Sequence, residues 1–207
     1  MNALVDRIVL LAEEMFSLYG LKSVSIDDLC KKMGMSKKTF YEYFATKEDL
    51  VGAVLERKNK EVSEQFKHIE GRGNAIDELL AFMGMHRLWA TTSEEKSPAM
   101  YYDLQKYYPQ LWHKSVEQKE LRARSFFTSN IQRGIDEGLY RKEIDIDMLC
   151  VYFGFSHTLR LFEEMNHSLS GRRVTHQQVA EFIMEVLARY ITSPSGWEYL
   201  LQSAKRK

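Results

Sequence analysis

The chain has 207 residues, 44% hydrophobic and 28% charged, an ordinary balance for a globular protein with enough apolar material to bury a core. Its 29 basic and 29 acidic residues give a formal net charge of +0, which excludes a uniformly basic nucleic-acid binder and requires any such activity to be local. Only 3 prolines count against a loop-rich β-sandwich, and no run of about 18 apolar residues offers a membrane span.

The first element reads as an amphipathic helix. Leu4, Ile8, Leu11, Ala12, Met15, Phe16 and Tyr19 recur at spacings of three and four, and Gly20 supplies a C-cap. Asp6, Glu13 and Glu14 interrupt the apolar stretch and make it a poor signal peptide, so the expected location is cytoplasmic. Ser25 and Asp28 have the capping-box spacing. Ile26, Leu29, Cys30 and Met33 then give the stripe of a second, short helix that Gly34 ends. Ser36 caps a third short helix, from Lys37 to about Phe44, with Phe40 and Phe44 inward. Thr46 and Asp49 repeat the box before a fourth helix, whose stripe of Leu50, Val51, Val54 and Leu55 runs into a charged stretch from Glu56 to Glu70.

Gly71-Arg-Gly73-Asn74 is the clearest break. Beyond it the helical period returns over residues 76–89, 98–107, 111–137, 146–169 and 175–191, with a polar loop between 91 and 98, an interruption at Pro109 and a stop at Gly138. Ser193-Pro-Ser-Gly196 breaks the pattern again before the basic tail Lys205-Arg-Lys207. No alternating strand pattern is present, so the expected class is all-α. The expected layout is a three-helix helix-turn-helix domain over 1–46, then a larger helical domain over 47–207. Cys30 and Cys150 lie in apolar patterns and read as buried thiols rather than a redox pair.

The short helix pair carries the functional signal. Phe16, Ile26, Leu29, Met33, Phe40 and Phe44 would form a small shared core, leaving the third helix a free face for a DNA major groove. From Lys31 to Lys47 there are five lysines and one acid, so a neutral chain concentrates positive charge here. The string VSIDDLCKKMGMSKKTFYEYFATKEDL, residues 24–50, closely resembles the N-terminal domain of TetR-family regulators, as does Ala12 to Gly20 before it. The resemblance fixes helix lengths, the turn glycine, the aromatic cluster and the following lysine together.

It implies a transcriptional repressor that binds an inverted-repeat operator in double-stranded DNA as a homodimer and is released by a small ligand. By position it implies phosphate contacts from Ser25, Tyr41, Tyr43 and Lys47. Lys37, Lys38 and Thr39, with Ser36 on the same face, are placed to reach base edges or flanking phosphates, since lysine suits guanine O6 and N7 and a threonine methyl suits a thymine methyl. The arm before the first helix is short, with only Arg7 basic nearby, which argues against minor-groove reading there.

Tyr108-Pro-Gln-Leu-Trp112, then Gly138-Leu-Tyr-Arg with Ile144-Asp-Ile-Asp147, resembles the sensor domain of many such regulators. The last two long helices would by resemblance pair with their mates in a dimeric four-helix bundle. Their apolar residues support this, and Tyr152, Phe155, Leu159, Phe162, Val179, Phe182, Ile183, Val186 and Tyr190 are the candidate interface. Met85, Trp89, Tyr101, Tyr102, Tyr107, Trp112, Phe126, Phe127, Tyr152 and His157 are the candidate pocket lining, suited to an apolar or aromatic ligand.

Catalytic chemistry finds little support. The six histidines do not cluster with cysteines at zinc spacing, and Glu164-Met-Asn-His167 lacks the second copy that a helical di-iron site requires. No glycine-rich phosphate loop or nucleophile elbow is present, so neither cofactor nor metal is expected. An all-α enzyme and a helical interaction module without DNA binding are the alternatives. The latter leaves the lysines and the capped short helices unexplained.

Overall fold

The computed structural model describes residues 3–92, 97–156 and 176–204. Among them lie ten helices: α1 Ala3–Tyr19, α2 Ile26–Met33, α3 Lys37–Tyr41, α4 Lys47–Ile69, α5 Ala75–Thr92, α6 Pro98–Tyr107, α7 Pro109–Asp136, α8 Ile146–Ser156, α9 His176–Ile191 and α10 Pro194–Ala204. Among the described residues the β content is one isolated bridge between Tyr140 and Thr192, so the fold is all-α as expected.

The caps read from sequence are present. Ser25 accepts from the Asp28 amide at 3.1 Å while Asp28 Oδ2 accepts from the Ser25 amide at 2.9 Å. Thr46 and Asp49 repeat the exchange at 3.1 and 2.8 Å ahead of α4. Gly34 ends α2 at φ 66°, the left-handed conformation that its missing Cβ makes accessible.

Three expectations are corrected. The third helix ends at Tyr41 instead of Phe44, because a tight bond from the Tyr43 amide to the Phe40 carbonyl, 3.0 Å, turns the chain and drops Phe44 into the core. The chain does break between Tyr107 and Pro109, but the long helix starts at Pro109 itself and not at Leu111, because at the first helical position its missing N–H costs nothing. The segment after Ser193 is not a plain break. Ser193 Oγ accepts from the Gly196 amide at 3.1 Å, Pro194 sits in the first turn, and α10 follows.

The chain forms two compact units: Met1–Ser63 with Thr92–Lys119, and Glu64–Thr91 with Glu120–Lys207. In the first, the three N-terminal helices do not close their core alone. Phe16, Leu29, Phe40 and Phe44 are buried together with Leu50, Val51 and Val54 of α4 and Met100 and Leu104 of α6. Ion pairs from Glu13 to Arg57 and to Lys58, both 3.0 Å, tie α1 to α4.

The second unit is built on an aromatic cluster, with Phe82 stacked on Phe126 at 5.0 Å and Phe66 and Phe127 edge-on to Phe126. Beside it Glu78 accepts from Asn130, Arg133 and the Gly71 amide, and the Tyr140 hydroxyl meets the Ala75 carbonyl and Asn130 Oδ1, both at 3.0 Å.

Candidate nucleic-acid interface

α2 and α3 are positioned from below by their apolar sides, and what they leave outside is polar. Phe40 is fully buried, while Ser36, Lys37, Lys38, Tyr41 and Tyr43 are exposed. Thr39 is half-buried, and its amide and hydroxyl both face Ser36, which caps α3 at 3.1 Å from the Thr39 amide. Tyr41 packs its ring edge-on against Phe40 at 5.5 Å and remains half exposed.

The charged side chains differ in how free they are. Lys37 Nζ is 2.7 Å from Asp27 Oδ1, a pair on the surface that raises the lysine above its ordinary pKa, first through the hydrogen bond and then through charge. Lys38 forms no ion pair among the described residues. Ser25 spends its hydroxyl on the Asp28 carboxylate at 2.6 Å, and that hydrogen bond is the main reason the Asp28 carboxyl is held below the usual range.

Lys47 stands apart from the other lysines. Its ammonium donates to the Leu21 carbonyl and lies 5.8 Å from the centre of the Phe16 ring. Burial pulls its pKa below the ordinary lysine value, against the opposing charges of Asp103 and Asp28. An ammonium has three donors, so the bond to Leu21 leaves two for a phosphate.

The sequence missed Asp103 and Asp27 in this region. Asp103, on α6, is buried and accepts from the Lys22 amide at 2.7 Å. Nothing local marks it, since its partner lies 81 residues away in the chain. Asp27 opposite Lys37 was open to inspection as an acid in the first turn of α2.

The pocket candidates divide between the units. Phe126, Phe127 and Met85 are buried in the second, where the two phenylalanines belong to the aromatic cluster. Tyr101 and Trp112 meet edge-on at 6.5 Å in the first, where Tyr102 and Tyr107 are exposed. His157 and, for their side chains, Trp89 and Tyr152 lie outside the described residues. So do Leu159 and Phe162, the side chains of Phe155 and Val179, and Glu164 and His167. On α9, Phe182, Val186 and Tyr190 form an apolar stripe four residues apart with exposures of 66%, 40% and 52%, and Ile183 beside them is half-buried. Met148 and Val151 of α8 are also exposed.

Residues 8–54 match the family model described as bacterial regulatory proteins, tetR family. The HTH-type transcriptional repressor KstR2 of Mycobacterium tuberculosis is 23% identical over 150 residues, covering 72% of this chain and 74% of that protein. The structure of that ketosteroid transcriptional regulator superposes with a TM-score of 0.58 at 21% identity, over 93% of this chain and 97% of the other. A TetR transcriptional regulator from Chloroflexus aurantiacus gives a TM-score of 0.68 at 20% identity, over 91% and 96%. A gamma-butyrolactone receptor, ArpA-like, gives 0.63 at 19% identity, over 97% and 94%.

Proposed function

We propose that this chain, a TetR-family transcriptional regulator, is a cytoplasmic repressor that binds an inverted-repeat operator as a homodimer and is released by a small apolar or aromatic ligand. The observation that carries the reading is the capped α2–α3 pair, whose apolar side is buried and whose other side presents Ser36, Lys37, Lys38 and Tyr41 to solvent. Such a helix offers side chains at major-groove depth, and the surrounding lysines supply the charge that phosphates attract. TetR regulators act by binding, so the enzyme reading is set aside.

In this reading residues 1–46 read DNA and residues 47–207 bind ligand and partner. A dimer places two copies of α3 in successive major grooves about 34–36 Å apart, or somewhat more on distorted DNA. The exposed Phe182, Val186 and Tyr190 support the dimer, since a lone chain would leave this apolar stripe in water. The ligand is proposed to prefer one arrangement of the dimer, and it shifts DNA affinity only by that preference. α4 is the lever, beginning at Lys47 and running to Ile69. Two proteins of this fold are named for a ketosteroid and a gamma-butyrolactone, which accords with an apolar ligand here.

The test is the mass of the purified protein alone and on duplex DNA. A dimer in solution and two chains per inverted repeat support the proposal; a monomer at all concentrations, free and on DNA, contradicts it.

A further inference from the structure

One peptide group in the turn between α1 and α2 is held at both ends. The Lys22 N–H donates to Asp103 Oδ2 at 2.7 Å, and the Leu21 C=O of the same peptide accepts from the Lys47 ammonium. Asp103 comes from α6 and is 8% exposed, and Lys47 opens α4. The approach is close: a Cβ at Gly20 would stand 2.8 Å from Asp103 Oδ2, so position 20 accommodates the carboxylate by having no side chain.

A carboxylate accepting from a peptide N–H polarises the group and adds negative charge to its carbonyl oxygen, strengthening any bond that oxygen accepts. Here the bond it accepts comes from an ammonium. A lysine head on a flexible stem is otherwise free to sample many positions, and its rotamer entropy is large. The carbonyl fixes one of its three donors and so directs the other two.

We propose that Asp103 is a positioning residue for DNA binding, acting through the Leu21–Lys22 peptide to fix the Lys47 ammonium where it meets a phosphate. This rests on the reading of Lys47 as a phosphate contact. Asp103 itself touches no DNA; a buried α6 carboxylate sets one charge of the interface across an intervening peptide group.

The experiment measures affinity against salt for one bound duplex, using wild type, Lys47→Met, Asp103→Ala, Asp103→Asn and the Lys47→Met/Asp103→Ala double variant. Lys47→Met is expected to reduce the slope of log affinity against log salt by about 0.9, one phosphate contact. Asp103→Ala is expected to reduce it by the same amount, and the double variant no further. A second readout needs no DNA and only the better-tolerated Asp103→Asn. Acetic anhydride labelling of Lys47, followed by mass spectrometry, should quicken severalfold relative to the other lysines. An unchanged slope in Asp103→Ala with a reduced one in Lys47→Met overturns the inference alone. An unchanged slope in Lys47→Met overturns the phosphate reading and the inference with it. Unchanged Lys47 labelling in Asp103→Asn also overturns the inference.

Discussion

Lys37, the first residue of α3, lies 2.7 Å from Asp27 in the first turn of α2, so one of the lysines proposed to reach DNA is already paired with an acid. Both side chains are more than half exposed, and an ion pair in water contributes little to stability. A phosphate can displace the carboxylate at little cost, but the carboxylate then stays beside the DNA. Asp27→Asn is therefore expected to tighten duplex binding several-fold at low salt and less at high salt. Titrations at two salt concentrations check it, and unchanged or weaker binding would contradict it.

Lys38 has no such partner among the described residues and is exposed next to it. If it reads a base edge, Lys38→Ala changes which sequences the protein selects, at about 1–3 kcal/mol of discrimination at one position of each half-site. A uniform loss of affinity across all sequences would place Lys38 on a phosphate instead.

Ser25→Ala removes the hydroxyl side of the capping box at α2, the acceptor of the Asp28 amide, and leaves the backbone amide of residue 25 on the Asp28 carboxylate. The expected loss is about 1 kcal/mol of stability, read as a lower urea midpoint with an unchanged slope. No loss would mean that the Asp28 carboxylate alone satisfies the first turn.

The stripe on α9 gives a test of assembly. Phe182→Glu with Val186→Glu puts charge where the proposed partner helix packs, at two positions exposed in the single chain. Sedimentation should show a folded monomer that no longer binds an inverted repeat tightly. A dimer retained by this variant would remove α9 from the interface.

Glu13 gives the pH dependence. Burial raises its pKa, but hydrogen bonds from Lys58 and Arg57 outweigh this and hold it below its ordinary value. Folding thus favours the ionised form, and the stability it contributes is complete above the unfolded-state pKa and lost as pH falls through the lowered native one. Glu13→Gln should be less stable than wild type near neutral pH, with the gap closing as pH drops below about 4. Urea melts across this range check it; a gap that widens in acid contradicts it.

The N-terminal half of the interface was legible because its signals are local. Ser25 with Asp28, and Thr46 with Asp49, are three residues apart, and Gly34 marks the end of α2 by itself. The end of α3 was not legible, since Phe44 suits a continuing helix as well as a turn that buries it, and packing chose the turn. α10 was readable from Ser193, Pro194 and the apolar Trp197, Leu200 and Leu201, but the same Ser-Pro-Ser-Gly run also signals a break. Asp103 lay beyond sequence reasoning, because a carboxylate in a helix is ordinarily solvated and only the fold brings it under the Lys22 amide.

The most direct measurement is selection of bound fragments from random duplex DNA by the purified protein, with affinity then followed against salt. A dimeric operator-binding regulator should enrich an inverted repeat whose half-sites are spaced by about one helical turn, with affinity falling steeply as salt rises. Weak binding without sequence preference, both alone and in the presence of candidate apolar ligands, would contradict it and leave a helical interaction module in its place.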